Sequence, residues 1–165
     1  MPTRTYLDSG VFLAAHQSSH HSYAAARAVI ADPNRVFVVS DILRLELFPK
    51  PTYFKNDKEL KFLQAFFADA VDDWALNASS FQDCMGLAGQ YGLSGSDALQ
   101  LSAALSLKAE EFISTEKATK PMYRINSSGS IRATSIHKTK PRQWFVVKYK
   151  ALLGIARKAF RFVRL

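Results

Sequence analysis

Four carboxylates carry the chemical interest of this sequence: Asp8, Glu46, Asp97 and Glu116, at intervals of 38, 51 and 19 residues. The apolar run Thr5-Tyr6-Leu7 stops at Asp8, and the strand-like Glu111–Thr115 stops at Glu116. Glu46 lies four residues after Ile42 and three after Leu43, on the apolar face of a short helix. Asp97 opens another helix, four residues before Leu101 on its inner face. In an open parallel sheet, ligands bind beyond the carboxyl ends of the strands, where strand order reverses. Acids meeting there need a remedy, because two carboxylates ~4 Å apart repel by about 4 kcal/mol at an effective dielectric of 20. They hold protons or recruit a cation. Oxygen-only ligands select hard ions such as Mg²⁺ or Mn²⁺, and no Cys or His cluster competes for zinc. Such an ion activates water, orients a phosphate and offsets charge on a leaving oxygen, which is phosphodiester chemistry.

Each acid also has a plainer explanation. Asp8 can initiate a turn, and Asp97 can complete a capping box with Ser94. Glu46 can be solvated at a frayed helix end, and Glu116, beside Lys117, can be an exposed loop residue. Convergence of all four on one sheet edge separates the chemical reading from these.

The elements that must position them alternate. The reading is strand Thr5–Leu7, helix Val11–His16, helix Ser22–Ile30, strand Arg35–Val39, and a helix capped by Ser40-Asp41 that runs to Leu47 and is ended by Pro49-Lys50-Pro51. Helix Asp57–Ala70, strand Trp74–Leu76, helices Ser79–Tyr91 and Ser96–Leu107, and strand Glu111–Thr115 follow, with Met122–Ile125 as a fifth-strand candidate. Such alternation indicates an α/β domain with a mainly parallel sheet of four or five strands. The expected domain covers residues 1–125. Residues 126–165 read as a polar linker, a break around Pro141 and an amphipathic helix, Gln143–Leu165.

The charge of +8 is unevenly placed. Residues 1–116 hold all 14 acids and 9 of the 22 Lys and Arg, a net of −5, and residues 117–165 carry +13. An acidic body with a basic C-terminal third points to a polyanionic partner. Lys117, Lys120 and Arg124 lie near Glu116 and suit a nucleic-acid strand, while Lys150, Arg157 and Arg161 form a stripe on the C-terminal helix. That helix equally suits docking on the body or contact with a membrane surface. The 48% hydrophobic composition excludes a disordered body, and the lone Cys84 implies a reducing, cytoplasmic setting without an internal disulfide. His16, His20 and His21 lack an accompanying carboxylate and read as surface histidines; the scattered glycines form no phosphate loop; Phe62, Phe66 and Phe67 read as core or dimer-interface residues.

Four segments, Thr5-Tyr6-Leu7-Asp8-Ser9-Gly10-Val11, Ser40-Asp41-Ile42-Leu43-Arg44-Leu45-Glu46, Gly92–Leu101 and Phe112-Ile113-Ser114-Thr115-Glu116, together resemble a PIN domain, and most nearly the VapC-type ribonuclease toxins of bacterial toxin–antitoxin pairs. The resemblance covers roughly residues 1–125. It implies an α/β/α sandwich and a Mg²⁺- or Mn²⁺-dependent endoribonuclease that leaves 5′-phosphate and 3′-hydroxyl ends. Asp8, Glu46 and Asp97 match the family's three acidic positions, and Glu116 falls where many members carry Asp. It also implies a homodimer and an antitoxin that blocks the acidic pocket. The competing reading is a nucleic-acid-binding protein of the same fold with an idle metal site.

Overall fold

The structure, a computed structural model, describes residues 1–138. Five strands form one sheet: β1 (Thr3–Leu7), β2 (Arg35–Ser40), β3 (Asp72–Trp74), β4 (Glu111–Ser114) and β5 (Arg132–Ser135), in the order β3-β2-β1-β4-β5. Every pairing is parallel, so every carboxyl end lies on the same edge. Strand order runs outward from β1 to β3 and then jumps back past β1 to β4, which makes the β1/β4 boundary the switch point. The central strands read as continuous apolar runs because both faces are covered, with Tyr6, Leu7, Val38, Val39, Phe112 and Ile113 all buried.

Helices α1 (Ser9–His16) and α2 (Tyr23–Ile30) join β1 to β2. Helices α3 (Asp41–Leu47), α4 (Pro49–Tyr53) and α5 (Asp57–Ala68) join β2 to β3, and α6 (Ala78–Tyr91) and α7 (Gly95–Ser106) join β3 to β4. Right-handed crossovers put the helices made before the reversal on one face and α6 and α7 on the other. Local chemistry sets the helix starts. The Ser40 side chain accepts from Leu43 N–H at 3.2 Å to cap α3, Ser94 accepts from Asp97 N–H at 3.2 Å to cap α7, and Asn77 and Ser80 form a reciprocal capping box on α6. Gly92 ends α6 at φ 65°, a left-handed cap that favours glycine.

Three expectations are corrected. Pro49 does not end helical structure but opens α4, because a proline at the first helical position lacks only an N–H that would be unsatisfied anyway. Strand β3 is Asp72–Trp74 rather than Trp74–Leu76, since its register against β2 pairs Ser40 with Trp74 and buries that indole. Residues 122–125 are not a strand: they belong to a 3₁₀ helix, Pro121–Ser128, and the fifth strand is β5.

The boundary at residue 125 therefore falls inside the domain. Ile131, Ala133 and Ile136 are buried in the common core, and β5 pairs with β4 along its length. Asn126, expected in a linker, clamps the outer edge of β5: its amide accepts from Ala133 N–H at 2.6 Å and donates to Ala133 C=O at 3.0 Å. One side chain thus supplies both bonds a neighbouring strand would make. The break around Pro141, the helix Gln143–Leu165 and its cations Lys150, Arg157 and Arg161 lie outside the described residues. No helix among the described residues is long and apolar enough to cross a membrane.

A chain ending at Ile125 is expected to lose cooperative folding. Burying Ile131 and Ile136 contributes roughly 1.5–3 kcal/mol each, a large share of the roughly 5–15 kcal/mol of a typical domain. Thermal unfolding followed by circular dichroism checks this, and a sharp transition near that of the full chain would contradict it.

Candidate functional site

Strand β1 delivers Asp8 directly to the switch point. Its backbone N–H donates to Ile113 C=O at 2.9 Å, which ties the end of β1 to β4. The Asp8 side chain makes no capping hydrogen bond at the start of α1. It accepts instead from the Ser114 hydroxyl at 2.6 Å, across the boundary between the two strands. Ser114 is fully buried and in turn accepts from Glu116 N–H at 3.0 Å.

Glu46 comes from α3 and is gripped by α7. The Ser96 hydroxyl donates to its Oε1 at 2.5 Å, and the Gln100 amide donates to its Oε2 at 2.6 Å. Asp97 shares the first turn of α7 with Ser96, and its backbone N–H, bonded to Ser94, sets that turn. Asp8 feels the other two acids. Burial raises the Asp8 carboxyl from 3.8 to about 6, and the charges of Glu46 and Asp97 add to the rise while the Ser114 hydroxyl and the Ser9 backbone N–H oppose it.

Among the described residues, nothing cationic offsets this charge. Asp72 pairs with Arg4, Asp41 and Asp73 with Arg44, and the buried Glu111 with Arg35 at the opposite edge of the sheet. No Lys, Arg or His pairs with Asp8, Glu46 or Asp97 among those residues. Nor is any group of three or more His, Cys, Asp or Glu among them placed to hold a metal ion between them. Mutual repulsion accounts for an open arrangement, and a hard ion such as Mg²⁺ needs only one or two carboxylates and keeps several waters. An oxygen-only donor set with uncompensated charge fits that ion.

Glu116 stands apart from the trio. Its backbone C=O accepts from the Tyr123 hydroxyl at 2.9 Å and from the Ser135 hydroxyl at 2.5 Å, while its exposed carboxylate faces Lys120 Nζ at 3.9 Å. Lys117 is exposed beside it. Arg124 donates to Tyr91 C=O at 2.7 Å, so one arm of its guanidinium caps the last turn of α6.

Four contributors were missed in the sequence: Ser114, Gln100, Tyr123 and His137. Gln100 had a visible signal, an amide among the otherwise small or apolar positions Ala98 to Ala104 of a buried helix. Ser114 and Tyr123 had none, since their partners arrive from β1 and the Glu116 loop. Burial, with the charges of Asp8 and Glu116, pushes the Tyr123 phenol up, so its ring stands beside the site. The histidines regroup: His16 faces Glu59 at 3.7 Å, whereas His21 Nε2 meets His137 Nδ1 at 3.1 Å and stacks on His20. Phe66 and Phe67 pack against Phe12, Phe37 and Phe48, as core residues do.

No family model matches the chain, and no curated protein matches it. Among solved structures, it is similar to a chain of the crystal structure of VapBC2 from Rickettsia felis bound to a DNA fragment from their promoter. The TM-score is 0.56 at 16% identity, covering 81% of this chain and 98% of that one. The likeness is one of fold. The parallel five-stranded sheet with its helices is consistent with the PIN-like architecture that the motifs resemble.

The raised Asp8 carboxyl has a consequence for stability. Between about pH 4 and 6 the folded chain holds more protons than the unfolded one, so this contribution to stability falls as pH rises through that window. In chelator at pH 7.5, Asp8→Asn should therefore be more stable than the parent by roughly 1–2 kcal/mol, after allowing for partial exposure. The difference should vanish near pH 4. Urea unfolding at the two pH values measures it, and a gain that persists at pH 4 would assign it to another cause.

Proposed function

We propose that the chain is a metal-dependent endoribonuclease acting as the toxin of a toxin–antitoxin pair. The observation that supports this most is the gathering of Asp8, Glu46 and Asp97, without a cationic partner among the described residues, at the switch point of a wholly parallel sheet. Those three would hold Mg²⁺ or Mn²⁺. When bound, such an ion supplies Lewis-acid charge at the scissile phosphate and activates water. Ser114 orients Asp8, and Ser96 and Gln100 orient Glu46. Glu116, at the mouth, tunes the charge or contacts the site through water. Lys117, Lys120 and Arg124 steer the RNA phosphates, and Lys150, Arg157 and Arg161, outside the described residues, add cations to that role. Water attacks phosphorus in line and the P–O3′ bond breaks, leaving 5′-phosphate and 3′-hydroxyl ends.

A protein partner fits the surface beside the site. Leu45, on the helix that carries Glu46, is 70% exposed, and Tyr53 and Phe54 just beyond it are 80% and 72% exposed. The VapBC2 structure joins a toxin–antitoxin pair, and an antitoxin covering this apolar surface would also cover the acids. A second copy of the chain is the other occupant the family resemblance implies, and the setting is the cytoplasm.

Incubation with transfer, ribosomal and messenger RNA, with Mg²⁺ or Mn²⁺ and then with chelator, tests the activity. Cleavage should require the metal, and Asp8→Asn or Asp97→Asn should lower it by at least about 100-fold while the fold is kept. RNA binding without cleavage would favour the idle-site reading instead. The basic C-terminal segment has its own readout. If it engages Z phosphates of single-stranded RNA, log affinity should fall with log salt at a slope near −0.7Z. Removing residues 139–165 should flatten the slope, and an unchanged slope would exclude them from RNA contact.

A further inference from the structure

We infer that Gln100 and Tyr6 are positioning residues that hold Glu46 ready for a cation through one directed chain of hydrogen bonds; this rests on the metal-site reading above. The chain begins and ends on α3. Leu43 N–H donates to the Ser40 hydroxyl at 3.2 Å, the Ser40 and Tyr6 hydroxyls meet at 2.6 Å, and Tyr6 O–H donates to Gln100 Oε1 at 2.5 Å. The Gln100 amide then donates to Glu46 Oε2 at 2.6 Å, one turn below Leu43 on the same helix. Ser40, Tyr6 and Gln100 are each at most 2% exposed, so none of these bonds can be exchanged for water.

The direction of every link follows from the last. A carboxylate only accepts, so the Gln100 nitrogen must face Glu46 and the Gln100 oxygen must face Tyr6. That oxygen needs the single phenolic proton, which leaves Ser40 to donate to Tyr6. Reversing any link sets two acceptors against each other in a buried place, which the fold does not tolerate cheaply. Ser96 secures the other carboxylate oxygen, so Glu46 is pinned twice by α7, the helix that carries Asp97. The spacing of two acids from distant segments is thereby set by one rigid element. Packing alone does not call for this. Gln100 sits on a helix whose buried neighbours are Ala98, Leu101, Ser102, Ala103 and Ala104, all small or apolar, where a leucine would bury its side chain at little polar cost.

The test is Mn²⁺ affinity, read by electron paramagnetic resonance or calorimetry on the full chain, beside the thermal midpoint of each metal-free variant. Gln100→Leu should weaken Mn²⁺ binding by about 10-fold or more without lowering the midpoint. Tyr6→Phe should cost less, because the amide can still donate to Glu46. In the Gln100→Leu background Tyr6→Phe should cost nothing further in affinity. Unchanged Mn²⁺ affinity in Gln100→Leu would overturn the inference and leave the metal site standing, and independent, additive losses would overturn the directed chain. A parent protein that binds no Mn²⁺ would overturn the metal reading and this inference together. Should Gln100→Leu fail to fold, Tyr6→Phe decides: weakened Mn²⁺ binding at an unchanged midpoint supports the chain, and unchanged binding overturns it.

Discussion

Uncompensated negative charge at the carboxyl edge of the sheet is the constraint around which the rest is arranged. Elsewhere the chain neutralises its acids: Glu111, the most buried of them, sits between Arg35 and Arg132, and Asp73 faces Arg44. At the switch point it supplies hydroxyls and an amide, which orient carboxylates without cancelling them. A protein built only for stability would place an arginine there, since unpaired charge in a partly buried place opposes folding. The fold tolerates the cost because it is confined to one edge. The opposite edge of the sheet, the two helical layers and the 3₁₀ helix are packed or paired in ordinary ways.

The three acids are held by different means. Asp8 ends a central strand and is tied to β4 by both backbone and side chain, so its position follows from the sheet itself. Asp97 is set by the capped first turn of α7. Glu46 lies near the end of a seven-residue helix, and such a helix has little intrinsic stability. It needs outside support, and the donors from α7 provide it. A site with one acid given by topology and another held by side chains has a built-in asymmetry of rigidity. On the proposed reading, that asymmetry would let the centre close around a cation and then release a product.

What could be read from the sequence follows the range of the interactions involved. Strand ends, caps and acid positions are local, so Asp8, Asp97, Ser40, Ser94 and the left-handed Gly92 were legible in runs of a few residues. Strand β5 was not: four residues, only one of them buried, carry too little periodicity to stand out, and the strand exists because β4 offers an edge and Asn126 covers the other side. The parallel pairing that orders the sheet could be inferred from alternation, but the partners of each side chain could not. Ser114 matters only because Asp8 arrives beside it, and a serine after an apolar run announces nothing by itself. Gln100 was the exception, a polar residue on a buried helical face, where the cost of burial alone signals a partner.

Fold and function separate here in an instructive way. At 16% identity the likeness to the VapBC2 chain can speak only for architecture, and many chemistries share one architecture. The case for a nuclease therefore rests on what a site of this composition can do. One further feature narrows it. Lys117 and Lys120 are exposed on the loop after β4 beside Glu116, so the charge gradient at this end of the sheet favours the approach of a polyanion. A small neutral or cationic ligand would gain nothing from that gradient, and an isolated cation site would not need it. On the proposed reading, a polymer of phosphates would engage both, the lysines through its backbone and the acids through a shared cation, and the uneven charge of the chain would then serve one substrate.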